Sequence, residues 1–451
     1  MSAAQVRVFR GVPYARAARF GAPMPVPWDG GRDTTQDGPI GPQPPSRLRA
    51  AMGDFDLPQS EDCLSLTIFT PEGAGPWPVI LWLHGGAYLS GAGSLPWYDA
   101  NALAGSGAVV VGVNYRLGPL GMLHVPGVAR GDMLLQDIEA ALAWVRANIT
   151  TFGGDPACIT LMGQSAGAHA IMCLLCRGTG GFRRAVLLSP PPAWAPLSEA
   201  EATERGRQFV AELGADPGEA PVERVLEAQG RMLRAMARFG EILVPFLPMV
   251  DGVNTEAAFI ARTAQAAAER GIELIIGTTR DEMMAFFAVD PAMQDPELGA
   301  VAACFARLAG SGDAIEAYRW RRPGASVAWL VSDVATDHLF RSPSLRLADA
   351  VAGRGGRVFM YRFDWGPSRF GACHCIELPF VFGTTESWAA PMLSGGDPNE
   401  MRALSELVRG MITGFARTGR PASALPWPAY EREAGWTMVF DTVVGVMGLK
   451  R

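Results

Sequence analysis

Short apolar runs alternate along the chain with longer stretches in which apolar residues recur at helical spacing. Six of the runs are apolar throughout rather than at every second position: PVILWLHGG, AVVVGVNY, CITLMG, RAVLLS, ELIIGTT and RVFMYRF. Continuous apolar runs of this length are typical of parallel strands that are covered on both faces. The repeated order of strand, helix and strand therefore predicts an α/β fold, with a large, mostly parallel central sheet and helices on both faces.

The clearest helix is predicted over Leu134–Ile149, where five apolar residues fall on one face. Two stretches, near 190–260 and 285–355, interrupt the alternation and are predicted to be helical insertions over the active-site edge of the sheet. Because large α/β folds often use several hundred residues as one unit, we predict a single domain over residues 1–451.

Composition narrows the class of protein further. The chain has 451 residues, a formal net charge of -6 and a pI of about 5.5, which argues against a nucleic-acid partner because such proteins concentrate basic charge on one face. No apolar run approaches the roughly 20 residues that a membrane span needs. The first residues contain no apolar core of the signal-peptide kind, so we expect a cytoplasmic protein without a membrane partner.

The seven cysteines are scattered and show no disulfide framework. The triplet Cys373-His374-Cys375 raises the question of a metal site. Adjacent residues on an extended segment point in different directions, however, and no second Cys/His cluster would complete four ligands. We therefore expect no metal and no cofactor.

The segment Gly163-Gln164-Ser165-Ala166-Gly167 fits the pattern G-x-S-x-G between an apolar strand and an apolar helix. In that setting the serine occupies a sharp turn, and the two glycines are needed because side chains there would collide with the neighbouring strand and helix. The start of the helix directs free N–H groups and its positive end at the serine. A plain tight turn is the alternative interpretation.

A glycine-rich segment, LHGGAYLSGAG, begins at Leu83 after the strand PVILW. Its backbone N–H groups could stabilise a developing oxyanion, and one such donor contributes roughly 3–4 kcal/mol to catalysis. The alternative is that the glycines only turn the chain. A phosphate-binding loop is disfavoured because no Lys-Ser or Lys-Thr pair follows the glycines.

A nucleophilic serine needs a general base, and the chain has five histidines. His374 lies in a loop after the late strand RVFMYRF, where the order serine, acid, histidine would place it. The other four have structural interpretations. His84 belongs to the glycine-rich loop, His169 to the helix after Ser165 and His338 to a helical pattern, while His124 has no carboxylate near it in the sequence.

The acid that orients the base should lie between Ser165 and His374, at the end of a strand. Asp281 and Glu282 directly follow the strand ELIIGTT. Both remain candidates on the residues alone, and a surface acid pair that caps a helix is the alternative.

Several longer motifs occur in one order: RGVPYA, SEDCLSLTIFTP, HGGAYLSGAGS, GVNYRLGPLGML, GQSAGA, GTTRDE and HCIELPFVFG. In this the chain resembles the type-B carboxylesterase family of the α/β-hydrolase superfamily, which includes bacterial para-nitrobenzyl esterases and, more distantly, cholinesterases. The resemblance implies that Ser165 is the nucleophile, His374 the general base and Glu282 the acid. It also implies an oxyanion hole formed by the backbone N–H groups of Gly86, Ala87 and Ala166.

The implied function is hydrolysis of neutral carboxylic esters with short to medium acyl chains through an acyl-enzyme. An amide, carbamate or polyester hydrolase with the same triad is the alternative. Weaker alternatives are a thioester-using acyltransferase and a non-catalytic interaction protein of the same fold. We expect a monomer whose partner is a small-molecule ester, with a homodimer as the other option.

The chain departs from the family pattern in four respects. Gln164 replaces the more usual glutamate, which removes a negative charge beside the triad and disfavours cationic substrates. Ala87 stands where many members have a third glycine, so its methyl group narrows the site. Cys63 matches a cysteine that is disulfide-bonded in secreted relatives, but here we expect a free thiol. The insertions look shorter than usual, which predicts a more open gorge.

Five apolar side chains lie next to the predicted catalytic loops and are candidates for the substrate pocket: Tyr88, Trp97, Met283, Phe286 and Phe287. Ordinary core packing is the alternative for each, because large apolar residues are mostly buried in cores.

Overall fold

The computed structural model describes residues 5–421 and 425–448, and ten of its strands form one sheet. In chain order these are β1 (Val6–Pro13), β2 (Ser65–Pro71), β3 (Trp77–Leu83), β4 (Val109–Val113), β5 (Gly154–Gln164), β6 (Arg184–Leu188), β7 (Glu273–Thr279), β8 (Val358–Phe363), β9 (Trp436–Phe440) and β10 (Gly445–Gly448). Their spatial order is β1-β2-β4-β3-β5-β6-β7-β8-β9-β10. Two two-stranded hairpins lie outside the sheet: Ala15–Arg16 with Met24–Pro25, and His124–Val125 with Ala129–Arg130.

The centre of the sheet is parallel. All pairs from β4 through β9 are parallel, whereas β1–β2, β2–β4 and β9–β10 are antiparallel. The six predicted strands are β3 to β8, which confirms the predicted α/β fold with a mostly parallel sheet. The two antiparallel edges were not predicted.

Fifteen α-helices connect and flank the strands within the described residues. They are α1 (Arg49–Met52), α2 (Asn101–Gly105), α3 (Gly118–Met122), α4 (Met133–Asn148), α5 (Ala166–Arg177), α6 (Glu199–Leu213), α7 (Val222–Met236), α8 (Glu256–Glu269), α9 (Met284–Phe287), α10 (Leu298–Ala309), α11 (Ile315–Arg321), α12 (Val327–Thr336), α13 (Ser342–Ala352), α14 (Leu378–Phe382) and α15 (Pro398–Thr418). None of them is by itself long and apolar enough to cross a bilayer; α10 passes only together with the segment Gly312–Arg321, across a bend of 92°.

Side chains alternate between the two faces of the sheet, and each face has its own core. On β3, Val79 and Leu81 face a core that includes residues of α4, α5, α8 and α13. Ile80 and Trp82 face the opposite core, which includes residues of α2, α14 and α15. Because both faces are covered, the central strands contain almost no exposed residue, as their continuous apolar runs predict.

A third, smaller core belongs to the insertions. It joins α10, α11 and α12 through side chains such as Val301, Phe305 and Val331. The predicted bounds of the insertions include the start of α8 and all of α13. However, α8 packs against α5, and α13 packs against β7 and β8. These two helices cover the sheet and do not belong to the layer above its edge.

A buried ion pair fixes α4 to the chain that follows β4. The Arg116 guanidinium binds the Asp137 carboxylate through two hydrogen bonds of 2.6 and 2.8 Å, and the Arg116 backbone N–H donates to the same carboxylate. Arg116 also donates to the carbonyl of Gly21, 2.8 Å away. Both charged side chains are almost wholly buried, so each depends on the other for compensation.

Removal of one partner should therefore destabilise the fold strongly. We expect Asp137→Ala to lower the free energy of unfolding by about 3–5 kcal/mol, because it leaves the Arg116 charge buried and uncompensated. Denaturant unfolding followed by circular dichroism measures the change. Glu204→Ala is the matched control, since it breaks an exposed pair with Arg207 on α6 and should not change the midpoint. Equal effects of the two substitutions would contradict this account of the pair.

Candidate active site

Ser165 lies at a strained turn between β5 and α5, with φ 53° and ψ -119°. Two close contacts explain the flanking glycines. A Cβ atom on Gly163 would lie 2.5 Å from the Gly167 carbonyl carbon, and one on Gly167 would lie 2.0 Å from the Leu83 oxygen. The backbone N–H of Ser165 donates to the Leu188 carbonyl at 2.8 Å, which anchors the turn to β6. The serine is thus held at the carboxyl edge of the sheet.

Glu282 and His374 meet at the same edge. His374 lies in the loop after β8, and its Nδ1 is 2.5 Å from Oε2 of Glu282 in the loop after β7. The other Glu282 oxygen, Oε1, accepts the Thr279 backbone N–H at 2.7 Å, so both carboxylate oxygens are fixed. Because Nδ1 donates to the carboxylate, the His374 lone pair is on Nε2, the arrangement that a general base requires.

The Nε2 atom of His374 has an unexpected neighbour. The Nε2 atom of the Gln164 side-chain amide lies 3.0 Å from it and donates to the imidazole lone pair. This hydrogen bond occupies the lone pair that would receive the proton of Ser165. A proton transfer from Ser165 therefore requires the amide of Gln164 to move aside.

Asp281, the other acid candidate, has a different position. Its carboxylate accepts the Ala372 backbone N–H at 3.0 Å, and its own N–H donates to the Ala372 carbonyl at 2.9 Å. It also binds Arg322, just after α11, at 2.5 Å. Asp281 thus ties the histidine loop to the loop after β7, while the adjacent Glu282 reaches the imidazole.

The glycine-rich loop lies beside Ser165. A Cβ atom on Gly86 would lie 1.9 Å from the Ser90 oxygen, so only glycine fits there, and Ala87 has a φ of 55°. Within the described residues, the N–H groups of Gly86 and Ala87 have no protein acceptor. Ala166 is the first residue of α5, where N–H groups also lack partners in the helix. These three groups are the predicted oxyanion donors.

The remaining histidines have other environments. His84 stacks on Tyr115 at 4.2 Å, and His169 contacts the Tyr88 hydroxyl at 2.7 Å and the Trp194 carbonyl at 2.6 Å. Burial lowers the pKa of both imidazoles to about 4. His338 lines a cavity beside the site, and His124 lies in one of the small hairpins.

The cavity at Ser165 is small. Its volume is about 20 Å³, and its walls include Gly86, Ala87, Ser165 and His374. A second cavity of about 180 Å³ adjoins it, and three apolar side chains line both: Trp194, Ile242 and Leu339. The expected open gorge is therefore absent from the described structure, because apolar side chains of the insertions fill the space above the serine.

The five predicted pocket residues separate into three groups. Phe286 lines the cavity at Ser165, with its ring centre 5.9 Å from that of His374, and Met283 lines the adjoining cavity. Tyr88 points away to bind His169, and Trp97 stacks on Trp388 at 5.0 Å. Phe287 packs in the core of the insertions. These last three do not line either cavity, because their side chains leave the backbone in other directions.

Other wall residues were not predicted from the sequence: Arg47, Trp194, Ile242, Leu339 and Phe340. Trp194 belongs to the segment PPPAWAP, whose three consecutive prolines suit a fixed irregular path over the sheet. Phe340 lies 4.9 Å from the His374 ring within a π-helical turn, Asp337–Arg341. Such turns are frequent at functional sites, but no pattern of apolar spacing reveals them.

Behind the triad lies a second buried carboxyl group, Glu377. Neither of its oxygens forms a hydrogen bond with a described residue, and the nearby Ser189 hydroxyl faces it without hydrogen-bond geometry. Burial and the negative charge of Glu282 raise the pKa of Glu377 to about 8. At neutral pH, Glu377 is therefore mostly protonated, and Glu282 is the negative group beside His374.

The order of the strands and the cluster of side chains around Ser165 define an α/β hydrolase. Comparison with known proteins identifies the family within this class. A family model for the carboxylesterase family matches residues 1–445. The chain belongs to the carboxylesterase family and is a carboxylic ester hydrolase by class. This confirms the family that the sequence motifs predict.

Individual relatives agree over almost the whole chain. The para-nitrobenzyl esterase of Bacillus subtilis is 35% identical, covering 98% of this chain and 92% of its own. A Rhodococcus erythropolis protein named "Probable N-octanoylanthranilate hydrolase" is 38% identical, covering 98% and 95%. The solved carboxylesterase of Geobacillus stearothermophilus superposes with a TM-score of 0.84 at 34% identity, covering 98% and 94%.

The ionisation of Glu377 should make stability depend on pH. Its pKa is raised in the folded state, so folding binds a proton, and stability falls as pH rises from about 4.5 to about 8. Glu377→Gln cannot ionise, so its melting temperature relative to the wild type should rise by a few degrees from pH 5 to pH 8. Scanning calorimetry measures this, with exposed Glu433→Gln as the control, for which the difference stays constant. A constant difference for Glu377→Gln would contradict the assignment.

The Gln164 contact should affect the pH dependence of catalysis. In Gln164→Glu a carboxylate replaces the amide donor and stabilises the protonated imidazole, so the acid limb of kcat/KM should move to higher pH by about one unit. Gln164→Met, which only removes the donor, should move it by about half as much. Glu282 and Glu377 are unchanged in both variants, so comparison with the wild type isolates position 164. An unmoved acid limb in Gln164→Glu would show that the contact does not influence the base.

Proposed function

We propose that the protein hydrolyses neutral carboxylic esters with short to medium acyl chains by a two-step acyl-enzyme mechanism. Ser165 attacks the ester carbonyl as His374 takes its proton, and the oxyanion is stabilised by the N–H groups of Gly86, Ala87 and Ala166. The imidazolium, oriented by Glu282, then protonates the leaving alcohol. Water repeats these steps on the acyl-enzyme and releases the acid.

The observation that carries this proposal is the placement of three chemical functions at one cavity. A strained serine, an imidazole held by a buried carboxylate at 2.5 Å, and two free backbone donors come from separate loops. The neutral amide of Gln164 beside the imidazole supports a preference for neutral over cationic substrates. The small cavity supports acyl chains of modest length.

Amide hydrolysis is the second candidate. The name of the Rhodococcus relative describes an N-acyl compound, whose acyl group is bonded to nitrogen. The same residues can cleave such a bond if His374 protonates the leaving nitrogen. Matched amides and esters with the same acyl group distinguish the two functions, and faster turnover of the amide would favour this candidate.

We also propose a cytoplasmic location and a monomeric state. All seven cysteines are free, which suits a reducing compartment. Size-exclusion chromatography with light scattering tests the monomer, and a mass of two chains would favour the homodimer.

The nucleophile assignment is tested by Ser165→Ala. With p-nitrophenyl acetate through decanoate, we expect kcat to fall at least about a thousandfold, since the covalent route is removed. The control is Ser106→Ala, which alters an exposed hydroxyl at the end of α2 and should retain wild-type turnover. Full activity in Ser165→Ala would contradict the assignment. A fluorophosphonate adduct on the wild type but not on the variant provides a second readout.

A further inference from the structure

One charged side chain lines the cavity at Ser165 without a counter-ion. Arg47, two residues before α1, shares this cavity with Ser165, His374 and the two oxyanion-loop residues. Arg47 is exposed, so its side chain is accessible to solvent while the residue lines this cavity. A positive charge is therefore present at the space that a substrate would enter.

Arg47 forms few hydrogen bonds with the rest of the protein. Its only hydrogen bond with a described residue is from Nη1 to the Leu243 carbonyl at 3.4 Å, longer than the usual range for such bonds. Within residues 5–421 and 425–448, no carboxylate lies within 4.0 Å of the guanidinium. Glu241, which lines the adjoining cavity, is already bound to Arg307 at 2.6 Å.

No carboxylate of a described residue neutralises the charge of Arg47, so the guanidinium is available to a ligand in the cavity. Arginine stays protonated at neutral pH, and Arg47 therefore contributes a positive charge to this cavity. The described walls of the cavity contain no carboxylate, and the Gln164 amide beside His374 is neutral. The local charge therefore favours an anion.

We propose that Arg47 binds a carboxylate on the substrate, at a position outside the ester group that is cleaved. The reacting ester is neutral, as in the proposed function on which this inference rests, but one end of the substrate carries a negative charge. A guanidinium can bind a carboxylate through two parallel hydrogen bonds, which provides both affinity and orientation. The substrate class is that of ester-bearing carboxylic acids.

Two matched substrate pairs test the proposal. The first has the carboxylate on the acyl side, mono-(4-nitrophenyl) glutarate against 4-nitrophenyl pentanoate. The second has it on the leaving group, 4-acetoxybenzoate against its methyl ester. In the wild type we expect kcat/KM to favour the charged member of one pair by about ten- to a hundredfold, and the preferred pair identifies the end that meets Arg47. Added salt should reduce the ratio.

The variants locate the effect. Arg47→Gln should abolish the preference for the charged substrate. Arg47→Lys should retain part of that preference, because lysine keeps the positive charge but cannot form the two parallel hydrogen bonds of a guanidinium. Arg49→Gln is the control, since it removes the same charge from an exposed residue that does not line the cavity, and it should keep the wild-type ratio. No charge preference in the wild type, or a preference unchanged in Arg47→Gln, would overturn the proposal. Failure of the proposed function differs, because the neutral esters would then not be cleaved at all.

Discussion

The close approach of β3, β5 and α5 at Ser165 is the constraint on which the rest of the site depends. Glycine is required at 163 and 167 because the strand and helix backbones leave no room for a Cβ atom. A Cβ atom on Gly85 would also lie 2.2 Å from the Gln164 amide oxygen and 3.2 Å from Cβ of Ser165. This crowding fixes the glycine-rich loop against the serine, so its free N–H groups lie beside the hydroxyl before any substrate binds. Such preorganisation is what electrostatic stabilisation of an oxyanion needs.

The other half of the site is assembled by a second contact, between Asp281 and the histidine loop. Gly371 has a φ of 60°, and a Cβ atom there would lie 2.6 Å from the Asp281 carboxylate. The Asp281–Ala372 hydrogen bonds place the loop so that His374 faces Glu282, and Arg322 extends the network into the insertions. Two adjacent acids thus have separate tasks: one binds the backbone of the loop and the other binds the ring. A disturbance of α11 can reach the imidazole through this network.

The sequence predicted the centre of the fold and the loops that meet at one edge of the sheet because both depend on local patterns. Strands covered on both faces are apolar throughout, whereas the edge strands β1 and β10 contain exposed or half-buried residues and have no such signal. The two acids could not be separated by spacing, since only the fold determines which carboxylate reaches His374. Pocket walls were the least predictable. Adjacency in sequence does not fix the direction of Tyr88 or Trp97, while Trp194 and Phe340 reach the cavity from distant insertions.

The charges around the imidazole follow a consistent pattern. Behind the ring, Glu282 binds Nδ1, while the elevated pKa of Glu377 keeps a second carboxyl mostly neutral. The negative charge of Glu282 is itself one cause of the raised pKa of Glu377, so the two neighbouring carboxyl groups differ in charge at neutral pH. At the front, Gln164 adds a hydrogen-bond donor without charge, and the described cavity wall contributes the positive Arg47. The carboxylate that binds His374 and the guanidinium that lines the cavity therefore carry opposite charges. A positive charge at the cavity favours the approach of a substrate with a negative end.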